Sequence, residues 1–538
     1  MRSYMKPSPV SQLSSAQPIP IPSKLRAKQA LKRAVDFARS TQDPQGYWED
    51  FTDPRIFDTA IVSICLVAIA TPDTKSDGTR TIVGEALGRA RKWLDGATPQ
   101  RHDAFATAVD EWLRSLAMGA VHTPPPDVPQ DLCTYSSRAL LIEILAVCVG
   151  SPGADPTRLQ QAVAASGPRA GLKQWQRALL AAAEIVSHAR LGTAVPARAI
   201  EALKQEQRAD GAFCLMPAIT ALACVAFNSV TGDSDVAGRR CLDYLLQSQH
   251  PDGTWRYLSF DIWDTTLMVR SLRGVPAFDA HLLEPALGFV ERTQSADGGW
   301  ACKVGLESDN DTTGAALLAL AETPQGRRVL PAAARYLQRV QRNDDGLWTT
   351  WQSADDTPSP DVTAHVVAAV TAHPTAAIET SRAVAWLVSQ HQSPGGWNAE
   401  WYPTAAYAVA EIAAAVGWTH EVSRRAAGDL VKQQRADGGW LVSSRDPCSA
   451  PAATGLALSA LVRSGIEIPS SVFQNAVNFL VDTQTPQGTW QGVPIMAGPR
   501  PFLNHCPRQT HAFVCAGLRD FVGLDSSGQG KQFQGTGL

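Results

Sequence analysis

The feature that most limits how this chain can fold is a recurring pattern: Gln, a polar turn containing Gly, then an aromatic residue. It reads Gln42…Gly46-Tyr47-Trp48, Gln207…Gly211-Ala212-Phe213, Gln249…Gly253-Thr254-Trp255 and Gln294…Gly298-Gly299-Trp300. It continues as Gln341…Gly346-Leu347-Trp348, Gln392…Gly395-Gly396-Trp397, Gln434…Gly438-Gly439-Trp440 and Gln484…Gly488-Thr489-Trp490. From Phe213 to Trp348 the aromatic returns after 42, 45 and 48 residues. A period of this size belongs to stacked helical hairpins, because one hairpin cannot bury its apolar face alone and must lean on the next.

Each unit reads as helix, Gly turn, helix. The segment before each Gln is amphipathic, as in Ala286-Leu287-Gly288-Phe289-Val290-Glu291-Arg292. The segment after each turn is more apolar, as in Gly314-Ala315-Ala316-Leu317-Leu318-Ala319-Leu320. That contrast predicts two helix layers, the apolar helices buried on both sides and the amphipathic ones facing water. Closing the double layer into a ring gives an all-α fold of the α/α-barrel type. The Gly permits a left-handed turn at the helix end, and the Gln amide suits a bond to backbone at a neighbouring helix terminus. The repeat Trp residues are therefore expected to be structural rather than binders of cations.

The pattern nearly disappears between Trp48 and Gln207, where the breaker Thr123-Pro124-Pro125-Pro126-Asp127 falls. A chain of 538 residues exceeds what one ordinary core serves, so a degenerate helical domain followed by a regular one is expected. Hydrophobic residues make up 44% and charged residues 18%, which excludes wholesale disorder. The net charge of −3 carries no nucleic-acid footprint. No apolar run reaches the ~18 residues of a spanning helix. The segment from Met1 to Lys24 is rich in Pro, Ser and Gln and lacks the apolar stretch of a secretion signal. It and the tail 523–538 read as disordered. The ten Cys are scattered without metal-site spacing and are expected to be free thiols in a reducing cytoplasm.

Asp309-Asn310-Asp311-Thr312-Thr313 follows the turn at Trp300 and opens an apolar helix. Alone it reads as a helix start, with Thr312 or Thr313 as cap and the acidic groups suiting the helix dipole. Two carboxyls this close in an apolar site cannot both ionise easily, so one stays protonated and the two act as a coupled acid. His365, in Asp361-Val362-Thr363-Ala364-His365, stands alone on an apolar helix, a position usual for a hydrogen-bonded core histidine. There is no His-Glu-x-x-His, no paired Cys motif and no phosphate-cradling Gly loop. Neither Asp344-Asp345 nor Asp355-Asp356 extends to Asp-Asp-x-x-Asp, so ionisation of a diphosphate by clustered magnesium is not supported.

Taken together, these residues resemble the class II terpene cyclases, the family of squalene–hopene and copalyl diphosphate cyclases. The Gln…Gly-x-Trp repeat is similar to that family's QW motif, and Asp309-Asn310-Asp311-Thr312 to its Asp-x-Asp-Asp acid motif. Asp361 to His365 resembles the squalene–hopene cyclase segment whose His bonds the catalytic Asp pair, and Phe260-Asp261-Ile262-Trp263-Asp264-Thr265 the family's Trp-Asp-Thr segment. The resemblance covers about residues 40 to 520. It implies two α/α-barrels, a degenerate γ domain at 46–254 and a β domain with the acid at 255–522, and a helix at 25–45 packed on the second barrel. It implies Asp311 as the general acid, with Asp309, Thr312 and His365 around it, and Trp263 and Asp264 at the substrate cavity. Thr312 departs from the family, which usually has a third Asp there. The Asp-x-Asp-Thr-Thr form looks like that of bacterial drimenyl diphosphate synthases.

Further likenesses favour a prenyl diphosphate over squalene as substrate. Phe57-Asp58-Thr59-Ala60 resembles the Tyr-Asp-Thr-Ala of copalyl diphosphate synthases, and Trp401-Tyr402-Pro403-Thr404 their Tyr-Tyr-Pro-Thr, which brings in Tyr402 and Thr404. Pro501-Phe502-Leu503-Asn504-His505-Cys506-Pro507-Arg508 lacks the tyrosines of hopene cyclases and offers Asn504 and Arg508. Arg500, Lys303 and Arg55 lie close to these motifs and join Arg508 as expected partners of a diphosphate. The implied reaction is cyclisation of farnesyl diphosphate to drimenyl diphosphate, with geranylgeranyl diphosphate and then squalene as alternative substrates. A non-enzymatic helical-repeat scaffold is the alternative of another class. Magnesium bridging the diphosphate is expected at most; no organic cofactor, nucleic acid or membrane span is, and the state is monomer or homodimer.

Overall fold

The computed structural model describes residues 21–70, 77–120, 123–129, 136–166, 171–231, 235–353, 356–391 and 396–524. Most of the two expected disordered ends, Gln392 to Gly395 and Asp355 lie outside the described residues. The first helix spans Ile21–Thr41, so it starts before residue 25, the boundary expected from sequence.

Two hydrophobic cores share the chain. One runs from Ala27 to Trp48 and resumes at Leu258; the other holds Ile56 to Trp255 and borrows Phe502. The chain thus crosses from one core to the other between Trp48 and Ile56 and returns between Trp255 and Leu258.

Six apolar helices form the inner ring of the core that resumes at Leu258: Asp261–Leu272, Asn310–Ala319, Pro360–Ala372, Ala405–Val416, Pro451–Arg463 and Pro507–Gly523. Each packs on the next in that order, and the last packs on the first, so the ring closes. Every residue of Asp261–Leu272 and of Asn310–Ala319 is buried, as two-sided burial requires. Amphipathic helices such as Pro324–Val340 and Glu421–Lys432 form the outer layer, and Ile21–Thr41 joins it beside Pro507–Gly523 and Ser470–Asp482. In the other core, Ile56–Ala70, Gln174–Arg190 and Pro217–Thr231 pack side by side.

The QW repeat is the joint between hairpins. In Gln434 the amide Nε2 donates to the Gly438 carbonyl at 2.9 Å and to the Val472 carbonyl of the following hairpin at 2.9 Å. Gln484 does the same with Gly488 and with Ala30 at 3.0 Å, which ties the end of the ring to the first helix. Each indole Nε1 donates back to its own helix, Trp300 to Val290 at 2.7 Å and Trp440 to Leu430 at 2.8 Å. Trp48, Trp255, Trp300, Trp348, Trp397 and Trp440 are fully buried, which bears out their structural reading; truncating such a ring costs about 3–5 kcal/mol. Gly438 has φ +89, and a Cβ there would meet the Asn475 carbonyl oxygen at 2.4 Å, so the turn excludes other residues on two counts.

The inner helices carry a second repeated element that the sequence reading missed. A Thr hydroxyl accepts the backbone N–H of the QW aromatic: Thr265 for Trp48, Thr59 for Trp255, Thr220 for Phe213, Thr313 for Trp300 and Thr454 for Trp440. Thr313 is therefore repeat hardware rather than a helix cap.

Candidate active site between the two cores

The acid run is placed by its repeat. Asp309 N–H donates to the Trp300 carbonyl at 2.8 Å, which fixes where the helix Asn310–Ala319 begins. The cap is Asp309, not Thr312 or Thr313 as sequence suggested: its Oδ1 accepts the Thr312 N–H at 2.6 Å. Thr312 Oγ1 lies 3.0 Å from Asp309 Oδ2. The hydroxyl that replaces a third carboxyl thus occupies Asp309 without adding charge.

Two residues on, Asp311 points to another partner. Its Oδ1 lies 2.5 Å from Nδ1 of His365, and Oδ2 has no hydrogen bond among the described residues. The approach depends on Gly314, one turn further along the helix. A Cβ at Gly314 would come within 2.9 Å of the His365 backbone, so only glycine lets the two helices close to this distance. His365 is fully buried, and its Nε2 lies 3.0 Å from Glu411 Oε2, poorly aligned as a hydrogen bond but within ion-pair range. Arg270 Nη2 donates to the same Glu411 oxygen at 2.8 Å.

Burial and the charge of Asp311 push the Asp309 carboxyl up to about 8, so it is neutral at neutral pH. Burial opposes charge on His365, but Glu411 and Asp311 outweigh it and raise the ring to about 9. Burial likewise opposes charge on Glu411, yet Arg270 and His365 bring it down to about 2. Burial and Asp311 raise Asp361 to about 6. Its Oδ2 accepts the N–H groups of Glu400 and Trp401 at 2.9 and 3.0 Å, which anchors the loop that carries Tyr402.

Asp309, Asp311 and Thr312 open onto a cavity of about 220 Å³ lined by both cores. Trp263 and Tyr402 supply aromatic wall, stacked with centroids 6.5 Å apart. Trp263 Nε1 donates to Tyr402 Oη, which donates to Gln509, which in turn donates to Asp264 at 3.0 Å. Asp264 therefore sits two links behind the wall, and burial holds its carboxyl well above the usual range. Across the cavity the other core contributes Phe57, Trp175, Leu179, Met216 and Lys173. Lys173 Nζ pairs with Asp356 at 3.0 Å and lies over the Trp351 ring.

Of the cations expected to meet a diphosphate, Arg500 lines the cavity, paired with Glu400. The others are not part of its lining. Arg55 pairs with Asp58 at 2.6 Å, Lys303 with Glu49, and Arg508 approaches Asp50 at 3.6 Å. Asn504 holds the short hairpin of Met496–Ala497 and Leu503–Asn504 by donating to Gly498 at 3.0 Å. Thr404 is buried at the start of helix Ala405–Val416. Sequence reasoning missed Lys173, Glu411 and Arg270. For the last two a signal existed: Glu411 is the lone charge of its apolar helix and Arg270 the lone cation of its own, and a buried charge implies a buried partner. Among the described residues no group of three or more His, Cys, Asp or Glu is arranged for a metal ion. The side chains described thus offer no ready-made site for a resident magnesium.

The fold is that of the class II terpene cyclases: the ent-copalyl diphosphate synthase from Streptomyces platensis superposes with a TM-score of 0.56 at 20% identity, over 92% of this chain and 99% of that one. Residues 348–504 match the squalene-hopene cyclase C-terminal domain family. Among curated relatives, a drimenyl diphosphate synthase of Streptantibioticus cattleyicolor is 32% identical over 316 residues, 53% of this chain and 58% of the relative. An ent-copalyl diphosphate synthase of a Streptomyces species is 29% identical over 225 residues, 38% and 40% of the two chains. The chain spans a little over half the length of the first two curated relatives it matches. The resemblance read from the repeat and the acid run thus holds at the level of fold and family likeness.

Proposed function

We propose that this protein is a protonation-initiated cyclase of a prenyl diphosphate, an isomerase that converts farnesyl diphosphate to drimenyl diphosphate with the diphosphate retained. One observation carries the reading: a buried Asp–His pair, Asp311 with His365 at 2.5 Å, opens onto an aromatic-walled cavity. Asp311 Oδ2 delivers its proton to the terminal alkene of the folded chain. The tertiary cation is attacked by the next double bond, and that cation by the one after, giving a fused bicycle. Loss of a proton from a carbon beside the last cation restores an alkene, so substrate and product are isomers.

The surroundings suit each step. The ring of His365 compensates the carboxylate that Asp311 becomes, a stabilisation already in place before the charge develops. Neutral Asp309 adds no repulsion beside it. The faces of Trp263 and Tyr402 stabilise carbocations, each contact being worth about 2 kcal/mol in a dry site, and the mainly apolar lining limits the water that would quench them. Lys173 and Arg500 are the cavity's cations for the diphosphate, in place of the Arg508, Lys303 and Arg55 first expected. The drimenyl diphosphate synthase relatives support the farnesyl substrate; the ent-copalyl relative favours geranylgeranyl diphosphate as the second reading. The nine described cysteines are free thiols, seven of them buried, and no helix among the described residues is long and apolar enough to cross a membrane. Both fit a cytoplasmic setting.

The test is to incubate the purified protein separately with farnesyl diphosphate, geranylgeranyl diphosphate and squalene, remove phosphate enzymatically and analyse by mass spectrometry. A bicyclic alcohol from the farnesyl substrate is expected. Conversion of squalene alone refutes the diphosphate reading. Asp311→Asn is expected to abolish cyclisation while circular dichroism and melting temperature stay near wild type; retained turnover overturns the assignment of the acid.

A further inference from the structure

The acid's neighbour His365 has carboxylates at both ring nitrogens, Asp311 at Nδ1 and Glu411 at Nε2. A neutral imidazole donates through one nitrogen only, so both carboxyl groups are matched when both nitrogens carry protons, Nδ1 in a hydrogen bond and Nε2 in an ion pair. Glu411 is 1% exposed, and Arg270, 4% exposed, donates to the same oxygen that faces the ring. Arg270 and Glu411 come from two helices of the inner ring, Asp261–Leu272 and Ala405–Val416, and His365 from a third. None of these three side chains lines the cavity. A buried ion pair is costly to assemble and seldom improves stability over an apolar pair, so two charges this deep and in contact with the acid's own partner call for a reason beyond folding.

We propose that Glu411, clamped by Arg270, is a positioning residue for the protonation step: it fixes the ring of His365 so that Nδ1–H points at Asp311 Oδ1. The consequence for Asp311 is directional. With Oδ1 occupied as acceptor, the transferable proton resides on Oδ2, the oxygen without a partner among the described residues, and faces the alkene. The ring stays charged because Glu411 balances it, so Asp311 sheds its proton next to a cation rather than beside a neutral ring.

The groups that face the ring are few. Asp311 comes from Asn310–Ala319, Glu411 and Tyr407 from Ala405–Val416, and Trp263 from Asp261–Leu272. Asp361 lies one turn earlier on the ring's own helix. Burial holds the Tyr407 hydroxyl well above its ordinary range, so it stays neutral. Asp311 and Glu411 are therefore the carboxyl groups that face the ring nitrogens, and Glu411 is the one that takes no part in the reaction.

The proposal rests on the cyclase reading above, and its test is chosen to separate the two. In protein labelled with 13C and 15N histidine, the His365 signal is identified by its loss in His365→Gln, and its titration is followed by NMR. Glu411→Gln is expected to move the midpoint down by roughly one pH unit or more, a tenfold change in proton affinity. The basic limb of kcat against pH should move down with it while KM holds, and Glu411→Asp should restore part of the shift. Because Glu411→Gln leaves Arg270 buried and unpaired, the exchange of both residues (Arg270→Met with Glu411→Leu) is measured alongside. It removes the charges together and should show the same downward shift. A ring that titrates as in wild type in either folded variant overturns the proposal, as does a fall in kcat with an unmoved pH profile. Failure of both to fold overturns it too, by showing the pair to be architecture alone. A wild type that cyclises no polyprenyl substrate refutes the cyclase reading, and the ring titration still decides the part of Glu411.

Discussion

Asp309 and Asp311 are two residues apart and have opposite surroundings. Asp309 is spent on the helix start, held by Thr312; Asp311 meets an imidazole. This division explains why the run reads as a plain helix cap in sequence: half of it is one. It also sets a pH dependence with a definite sign. Asp309 and His365 both have folded-state values raised above those of the unfolded chain, to about 8 and about 9. The folded protein therefore holds protons that the unfolded chain has lost. The stability tied to Asp309 declines from about pH 4 to about pH 8, and that tied to His365 from about pH 6.5 to about pH 9. Melting temperature is expected to fall between neutral pH and about pH 9, and Asp309→Asn to flatten part of that fall in differential scanning calorimetry. Glu411, lowered to about 2, acts the other way and withdraws its stabilisation only in acid. Cyclisation should fail over the same alkaline range, because an ionised Asp309 opposes the conjugate base of Asp311 and a neutral His365 no longer stabilises it.

At the scale of the element, the repeat was legible because each turn needs the same three groups: a Gln amide, a Gly at positive φ and a ring that fills the space between helices. The Asp311–His365 partnership was legible through resemblance, since 54 residues separate the two and no local rule links them. Glu411 and Arg270 were not read, because a helix taken alone does not reveal which neighbour a buried charge meets. Lys173 was missed for a different reason: it lies in the stretch where the repeat has decayed, so nothing in the chain marks its face. Gly314 belongs to this scale as well. Its missing side chain sets how near the helices Asn310–Ala319 and Pro360–Ala372 lie. Gly314→Ala is expected to force them apart, at a stability cost of about 1–3 kcal/mol, and to cut kcat by roughly a hundredfold through a misplaced acid. Steady-state kinetics with a parallel melting curve separates those two effects. Activity equal to wild type would show that the acid tolerates a wider gap.

At the scale of the whole molecule, the cavity exists only because two cores meet. The acid comes from one, while Lys173 and much of the apolar wall come from the other. Substrate length is thus set by residues on both sides, which is why chain-length preference could not be read from motifs. Lys173→Gln should raise KM for the prenyl diphosphate about tenfold or more, as expected for loss of a charge-assisted contact, with a smaller change in kcat. Equal kinetics would move the diphosphate to Arg500 alone. The cations first expected, Arg500, Arg508, Lys303 and Arg55, were chosen by nearness along the chain to the motifs; of these Arg500 lines the cavity.

The hydrogen bond from Gln484 to Ala30 has a bearing on how the protein is made. The helix Ile21–Thr41 is made more than four hundred residues before its main packing partners, Ser470–Asp482 and Pro507–Gly523. The intervening core, Ile56 to Trp255, is contiguous and can assemble during synthesis. The acid-bearing ring cannot close until Pro507–Gly523 has emerged, so Ile21–Thr41 waits for these partners while the residues between are made. Pausing the ribosome just short of residue 507 should therefore leave the first core protected from protease and the second open, and protonation chemistry should begin only after the last turn is delivered.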